Sequence, residues 1–234
     1  MKRLSRNSTF VIYNDLLNNS EYIKSIVRNF PNIIIKYNFK SSSDYKFIEF
    51  YKDSKLSKLI YILSEDNKEY FYFKNGLYHR EDGPAIIRND CVRYMMYGKR
   101  HRVDGPAIIY KEHVEYWIED KLHRIGGPAI VSNGSEYYYV NGLLHREDGP
   151  ALIEGAHKAY YIKGNLHRED GPAAIWENAD GYCCKYSYYR SGLLHREDGP
   201  AYITGNGNET YYLNGKEITK NELWAINNDM TIFI

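Results

Sequence analysis

Long apolar runs are missing from this chain. The runs present, such as FVIY at 10–13 and NIII at 32–35, fall far short of the ~20 residues that cross a bilayer as a helix. The basic start MKRLSR is followed by only four apolar residues, fewer than the ~7 to 15 that a secretory signal needs, so an intracellular protein is expected. Charge of one sign is lacking too. The 31 Lys and Arg against 30 Asp and Glu leave a formal net charge of +1, which argues against broad binding to a nucleic-acid backbone. Cysteine is scarce. Cys91, Cys183 and Cys184 are odd in number and have no CxxC spacing, so neither a disulfide framework nor a zinc ribbon is expected, and no metal or other cofactor is called for. Proline is rare outside one motif, with six of the seven prolines in a recurring Gly-Pro-Ala triplet.

Tyrosine is abundant. The 25 tyrosines cluster in runs such as EYFYF and SEYYYV, a pattern that favours strands, where an aromatic body lies on a pleated surface and its hydroxyl reaches water.

A fixed period organises the chain from about residue 68 onwards. The phrase LLHREDGPA stands at 143–151 and at 193–201, and its histidine recurs at His79, His101, His123, His145, His167 and His195. The steps are 22 residues four times and then 28. Each histidine is followed by an arginine, and the triplet begins at Gly83, Gly105, Gly127, Gly149, Gly171 and Gly199. Ahead of each turn stands a tyrosine, Tyr72, Tyr94, Tyr116, Tyr138, Tyr160, Tyr188 and Tyr211, followed by Phe73, Met95, Trp117, Tyr139, Tyr161, Tyr189 or Tyr212. Short β-branched runs after Gly-Pro read as strands, and Asn-Gly and Asp-Gly pairs read as hairpin turns. The fold class expected is mainly β, an elongated array of antiparallel hairpins with 22-residue units.

Four regions follow. Residues 1–45 are expected to form a cap, with a short helix over 21–30 where Ile23, Ile26, Val27 and Phe30 share a face, Ser20 caps and Pro31 ends it. Residues 46–67 read as a degenerate first repeat, 68–218 as the array, and 219–234 as a closing cap after an incomplete copy in which Ile218 replaces the histidine. Such caps protect the edges of a sheet from pairing with other chains.

A histidine beside Arg and Asp invites an acid–base reading. Multiplicity argues against it, because six copies spaced ~9.5 Å apart, twice the strand spacing, suit a structural ladder better than one active site or one metal. No catalytic residue is therefore assigned, and the motif is expected to bond turn backbone and balance charge between copies. The exceptions carry more information. In LHRIGGPA, Ile125 and Gly126 replace Glu and Asp, leaving Arg124 without its local acid, so a partner's carboxylate or phosphate is one use for it and simple decay of a repeat is the other. The fifth unit carries six extra residues, near Trp176 and Cys183 to Cys184. Of the two aromatic columns, one is expected to pack and the other to meet a partner, which puts Tyr72, Tyr94, Tyr116, Trp117, Arg124, Tyr138, Tyr160, Trp176, Tyr188 and Tyr211 among the binding residues.

The phrase NGxxHREDGPA after a Tyr-rich strand resembles MORN-type repeats over roughly 68–218, in the variant found in YwqK-type antitoxin proteins and in repeat proteins of giant DNA viruses. That resemblance implies a hairpin sheet used for protein–protein contact, with a toxin or nuclease as one kind of partner, in the host cytoplasm if the protein is viral. A non-enzymatic interaction scaffold is therefore expected. Two alternatives stay open: a membrane-surface or phosphoinositide-binding module, against which the near-zero charge counts, and a self-assembling repeat protein joined through sheet edges or the insertion.

Overall fold

The computed structural model describes residues 33–38, 46–52, 57–63, 68–74, 77–177 and 185–228, with backbone alone for the first three segments and Lys68. The expected helix over 21–30 and the tip of the insertion, 178–184, lie outside the described residues. Among those described, the chain is mainly β and every strand pairing is antiparallel.

Four strands of six or seven residues open the sheet as a meander, Ile33–Asn38, Lys46–Lys52, Ser57–Leu63 and Lys68–Lys74. From Ile86–Arg88 onwards the sheet continues in strands of two or three residues, each paired with the next in chain order, up to Glu209–Leu213. The degenerate first repeat thus supplies the long strands Lys46–Lys52 and Ser57–Leu63, and the strand Ile33–Asn38 extends the same sheet into the region read as a cap.

Each 22-residue unit holds two hairpins where the spacing alone reads as one. In the third unit, Ile108–Tyr110 and His113–Glu115 form the hairpin of the continuous sheet, and Trp117–Ile118 with Lys121–Leu122 form a second, shorter one. Tyr116 lies between them; its N–H bonds the Ala129 carbonyl at 2.8 Å and its carbonyl accepts the His123 N–H at 3.0 Å. The short hairpins also bond from unit to unit, as where the Gly142 N–H reaches the Leu122 carbonyl at 2.8 Å and the Arg124 N–H reaches the Tyr139 carbonyl at 3.0 Å. The turn of the sheet hairpin went unread because its residues vary, Lys111 and Glu112 in one unit and Asn133 and Gly134 in the next. Variable residues leave no repeating turn signal.

Rows of cross-strand partners define two faces. On one, Ile87, Val92, Ile109, Val114 and Val131 are successive partners and each is half-buried, after which Glu136 interrupts the row. The buried core is narrow. Ala85, Ala107, Ala129, Ala151, Ala173 and Ala201, the alanines of the Gly-Pro-Ala triplets, are all 0% exposed. The first five are each pinned by backbone bonds on both sides, as Ala107 is by the Tyr94 N–H at 2.7 Å and the Glu115 carbonyl at 2.8 Å, and the Ala201 carbonyl accepts the Tyr188 N–H at 2.8 Å. In so thin a molecule a larger side chain has no space to fill, and overpacking is costly.

At the carboxyl end the sheet meets a helix, α1, over Lys220–Asn227. Thr219 and Glu222 form a reciprocal capping box, a signal readable in the sequence TKNE and missed there. Leu223 is buried and the Asn227 side-chain amide donates to the Glu197 carbonyl at 2.7 Å, tying the helix to the last corner.

Candidate binding surface at the repeat corners

The arginine of each corner lies over the tyrosine of its own unit. Its guanidinium carbon stands 3.9 to 4.1 Å from the ring centroid in all six pairs, Arg80 with Tyr72, Arg102 with Tyr94, Arg124 with Tyr116, Arg146 with Tyr138, Arg168 with Tyr160 and Arg196 with Tyr188. On its other side lies the glycine of the triplet. A Cβ at Gly83 or Gly105 would come within 2.9 Å of the guanidinium carbon, and at Gly127 within 3.0 Å. The φ of these glycines is not positive, so space for the guanidinium, and not a special backbone conformation, calls for glycine.

The aspartate and the proline complete the set. Arg Nε donates to the aspartate at 2.8 Å in the first corner (Asp82), 2.9 Å to Asp104, 2.7 Å to Asp148, 2.9 Å to Asp170 and 2.6 Å to Asp198. The hydrogen bond from the arginine holds Asp104, Asp148, Asp170 and Asp198 below the usual carboxylate range. A second arginine nitrogen donates to the proline carbonyl at 3.3 to 3.5 Å in these five corners.

The histidine reaches the next unit. Its Nδ1 accepts the backbone N–H of the first residue of the following short-hairpin turn, from Tyr97 to His79, Glu119 to His101, Asn141 to His123, Lys163 to His145, Ser191 to His167 and Asn214 to His195, at 3.0 to 3.3 Å. All six donors are left-handed, with φ between 48° and 52°, a conformation that side chains other than glycine seldom adopt unaided. An imidazole accepting at Nδ1 carries its proton at Nε2, and in the first and last corners Nε2 faces the glutamate of the motif, Glu81 at 3.2 Å and Glu197 at 3.1 Å. The histidine, arginine and aspartate of the motif are thus committed to the fold, whereas Glu147 and Glu169 stand 3.6 and 3.8 Å from their histidines and are exposed.

The two aromatic columns occupy opposite faces. The Tyr138 hydroxyl donates to Glu136 at 2.8 Å, in line with the half-buried central row, while Trp117 Nε1 donates to Glu115 at 2.5 Å on the other face. The first column, Tyr72, Tyr94, Tyr116, Tyr138, Tyr160 and Tyr188, is roofed by arginines. Tyr211, in the incomplete copy, bonds Glu209 at 2.8 Å instead. In the second column burial, and then the neighbouring Tyr161, push the Tyr139 phenol up; Tyr161 is raised in the same way by burial and by Tyr189.

Trp117 and Trp176 each anchor a small cluster. Arg100 lies 3.5 Å over the Trp117 ring and donates to Asp120 at 2.7 Å, while Glu115 also takes His113 Nε2 at 2.5 Å. Trp176, half exposed, stacks on its cross-strand partner His157 with ring centroids 3.4 Å apart and planes 11° from parallel. Burial keeps the His157 pKa below its ordinary value, and its Nδ1 is buried without a hydrogen-bond partner. No group of three or more possible metal ligands is present among the described residues, and no described helix is long and apolar enough to cross a membrane.

Two consecutive corners break the pattern. Val103 and Ile125 take the place of the motif's glutamate and are 83% and 75% exposed. The sequence marks Arg124 but gives Val103 no distinction, since Asp104 follows it as usual; a column-by-column reading of the six corners would have found it. Comparison of the chain with family models, with curated proteins and with solved structures finds no match in any of the three.

Proposed function

We propose that this chain is a non-enzymatic protein-binding scaffold. The observation that carries the reading is the adjacency of Val103 and Ile125, two β-branched side chains held in solvent where the neighbouring corners carry Glu81 and Glu147. Equivalent positions of consecutive units lie ~9.5 Å apart, so the two make one apolar spot on an otherwise acidic ridge. Exposed apolar groups rimmed by polar ones are a common signature of a protein interface. The corner histidines, arginines and aspartates are engaged with one another and with backbone, which leaves recognition to the places where the motif departs from itself. A toxin or nuclease as the partner, the role implied by the MORN-type resemblance, belongs to the same proposal.

The test is affinity purification of the full chain from native lysate, in parallel with a Val103→Glu/Ile125→Glu variant. A stoichiometric protein recovered with the wild type and lost with the variant is the expected result. Equal recovery by both, or no stoichiometric protein, would sink the reading.

A further inference from the structure

Resting on that protein-binding reading, the partner's chemistry is written in the third corner. Five of the six corner arginines have the motif's aspartate at Nε, and the side chains of those aspartates are 80 to 84% exposed. The carboxylate position is therefore at the surface and open to another molecule. In the third corner residue 126 is glycine, with a φ of +74° and nothing within 4 Å of where a Cβ would stand. Arg124 is nonetheless held as its sisters are, 4.0 Å over the Tyr116 ring, and its bond to the Pro128 carbonyl, at 3.0 Å, is shorter than in any other corner. A guanidinium fixed by a ring and a carbonyl loses little freedom when it takes up an anion.

We propose that the third corner receives an aspartate or glutamate of a protein partner, its carboxylate bonding Arg124 Nε and its apolar neighbours covering Val103 and Ile125. The sister corners give the geometry of the bond, 2.6 to 2.9 Å from Nε. The surroundings favour a single carboxylate over a phosphate. In the flanking corners Asp104 and Asp148 are neutralised by Arg102 and Arg146, so Arg124 gets no help from extra positive charge there, and Glu147 adds an exposed negative charge nearby. One arginine edge in that field balances one charge better than two. The replacement of glutamate by Val103 and Ile125 removes two carboxylates that would repel such a partner and leaves side chains that exclude water from the new ion pair.

The probe is a random-peptide display library panned on the full wild-type chain, followed by Kd measurements of the enriched peptides. The control protein is Ile125→Glu/Gly126→Asp, which gives the third corner the HREDGPA sequence of four others and supplies the carboxylate from the chain itself. Peptides carrying Asp or Glu beside an apolar residue are expected to enrich. Replacing that acid by its amide should weaken binding to the wild type about tenfold or more and change nothing further on the variant, the mark of a direct coupling. Thermal unfolding of the variant, expected within a few degrees of wild type, separates loss of the site from loss of the fold. Enriched peptides that need Val103 and Ile125 but are indifferent to their acid, or that bind better when phosphorylated, overturn the carboxylate inference and leave the scaffold reading standing. Enrichment of no peptide on the wild type overturns both.

Discussion

His145 Nδ1 accepts the backbone N–H of Lys163, eighteen residues further along the chain, at 3.3 Å. Lys163 is left-handed, with φ of 49°, and the imidazole supplies the acceptor for its N–H. The bond joins two units and steadies a turn that its own residue disfavours.

His145→Leu, which keeps bulk and removes the acceptor, should therefore destabilise the array by about 1 kcal/mol, the usual net value of such a bond. Urea unfolding measures it. The same change at His123 or His167 should give nearly the same loss, and pairs of distant changes should add. A single histidine whose loss outweighs all the others would contradict a shared structural role.

Gly105→Ala sets a methyl group 2.9 Å from the Arg102 guanidinium carbon. Displacing the arginine from the Tyr94 ring or shifting the backbone should cost about 1 to 3 kcal/mol. The cause is separable from backbone strain by a cycle with Arg102→Ala. Once the guanidinium is gone the alanine should be tolerated, so the two losses should be less than additive in chemical denaturation.

Much of this was legible beforehand, and the boundary is instructive. The period, the strands and the corner role of Gly-Pro-Ala follow from the recurrence of His79 to His195 and of six prolines in register. That Arg and Asp would pair followed from their spacing, and the structure has that pair in five corners. The partner of the histidine could not be read, because the donor is a backbone N–H in the next unit and carries no residue signature. Nor could the reason for the glycine, since a turn residue and a residue under a guanidinium look the same in one dimension. The hairpin of the continuous sheet was hidden for the opposite reason, its turn residues differing from unit to unit.

Strong acid should weaken the corners through the arginine-bonded aspartates. Asp104, Asp148, Asp170 and Asp198 have folded pKa values below their unfolded ones, chiefly through the bond from arginine. A depressed carboxylate pKa stabilises above the unfolded value and loses that contribution as pH falls through the folded one. Stability measured by thermal unfolding should fall on acidification below about pH 4. An Asp148→Asn variant should show less of that fall.

His157 titrates in the same sense for a different reason. Burial lowers its pKa, so the folded chain holds fewer protons than the unfolded one between the lowered value and the ordinary value near 6.5. Stability gained through this residue is present above that range and declines as pH drops through it. Its nearest acid, Glu154 at 3.7 Å, opposes the shift without reversing it. In a Trp117→Phe/Trp224→Phe background, fluorescence of Trp176, stacked on the imidazole, should report a midpoint below 6.5. A midpoint above it would contradict the burial seen here.

The corner has one more consequence. Arginine, tyrosine, aspartate and glycine all come from within one unit, and the joints to the units before and after are copies of each other. A segment cut from one buried alanine to the next therefore carries everything it needs, and it contributes two strands to the sheet. Because two strands restore the original direction of the chain, a whole unit can be duplicated or lost in register without orphaning a backbone group. Array length is thus a character that descent can vary in steps, while both ends stay as they are.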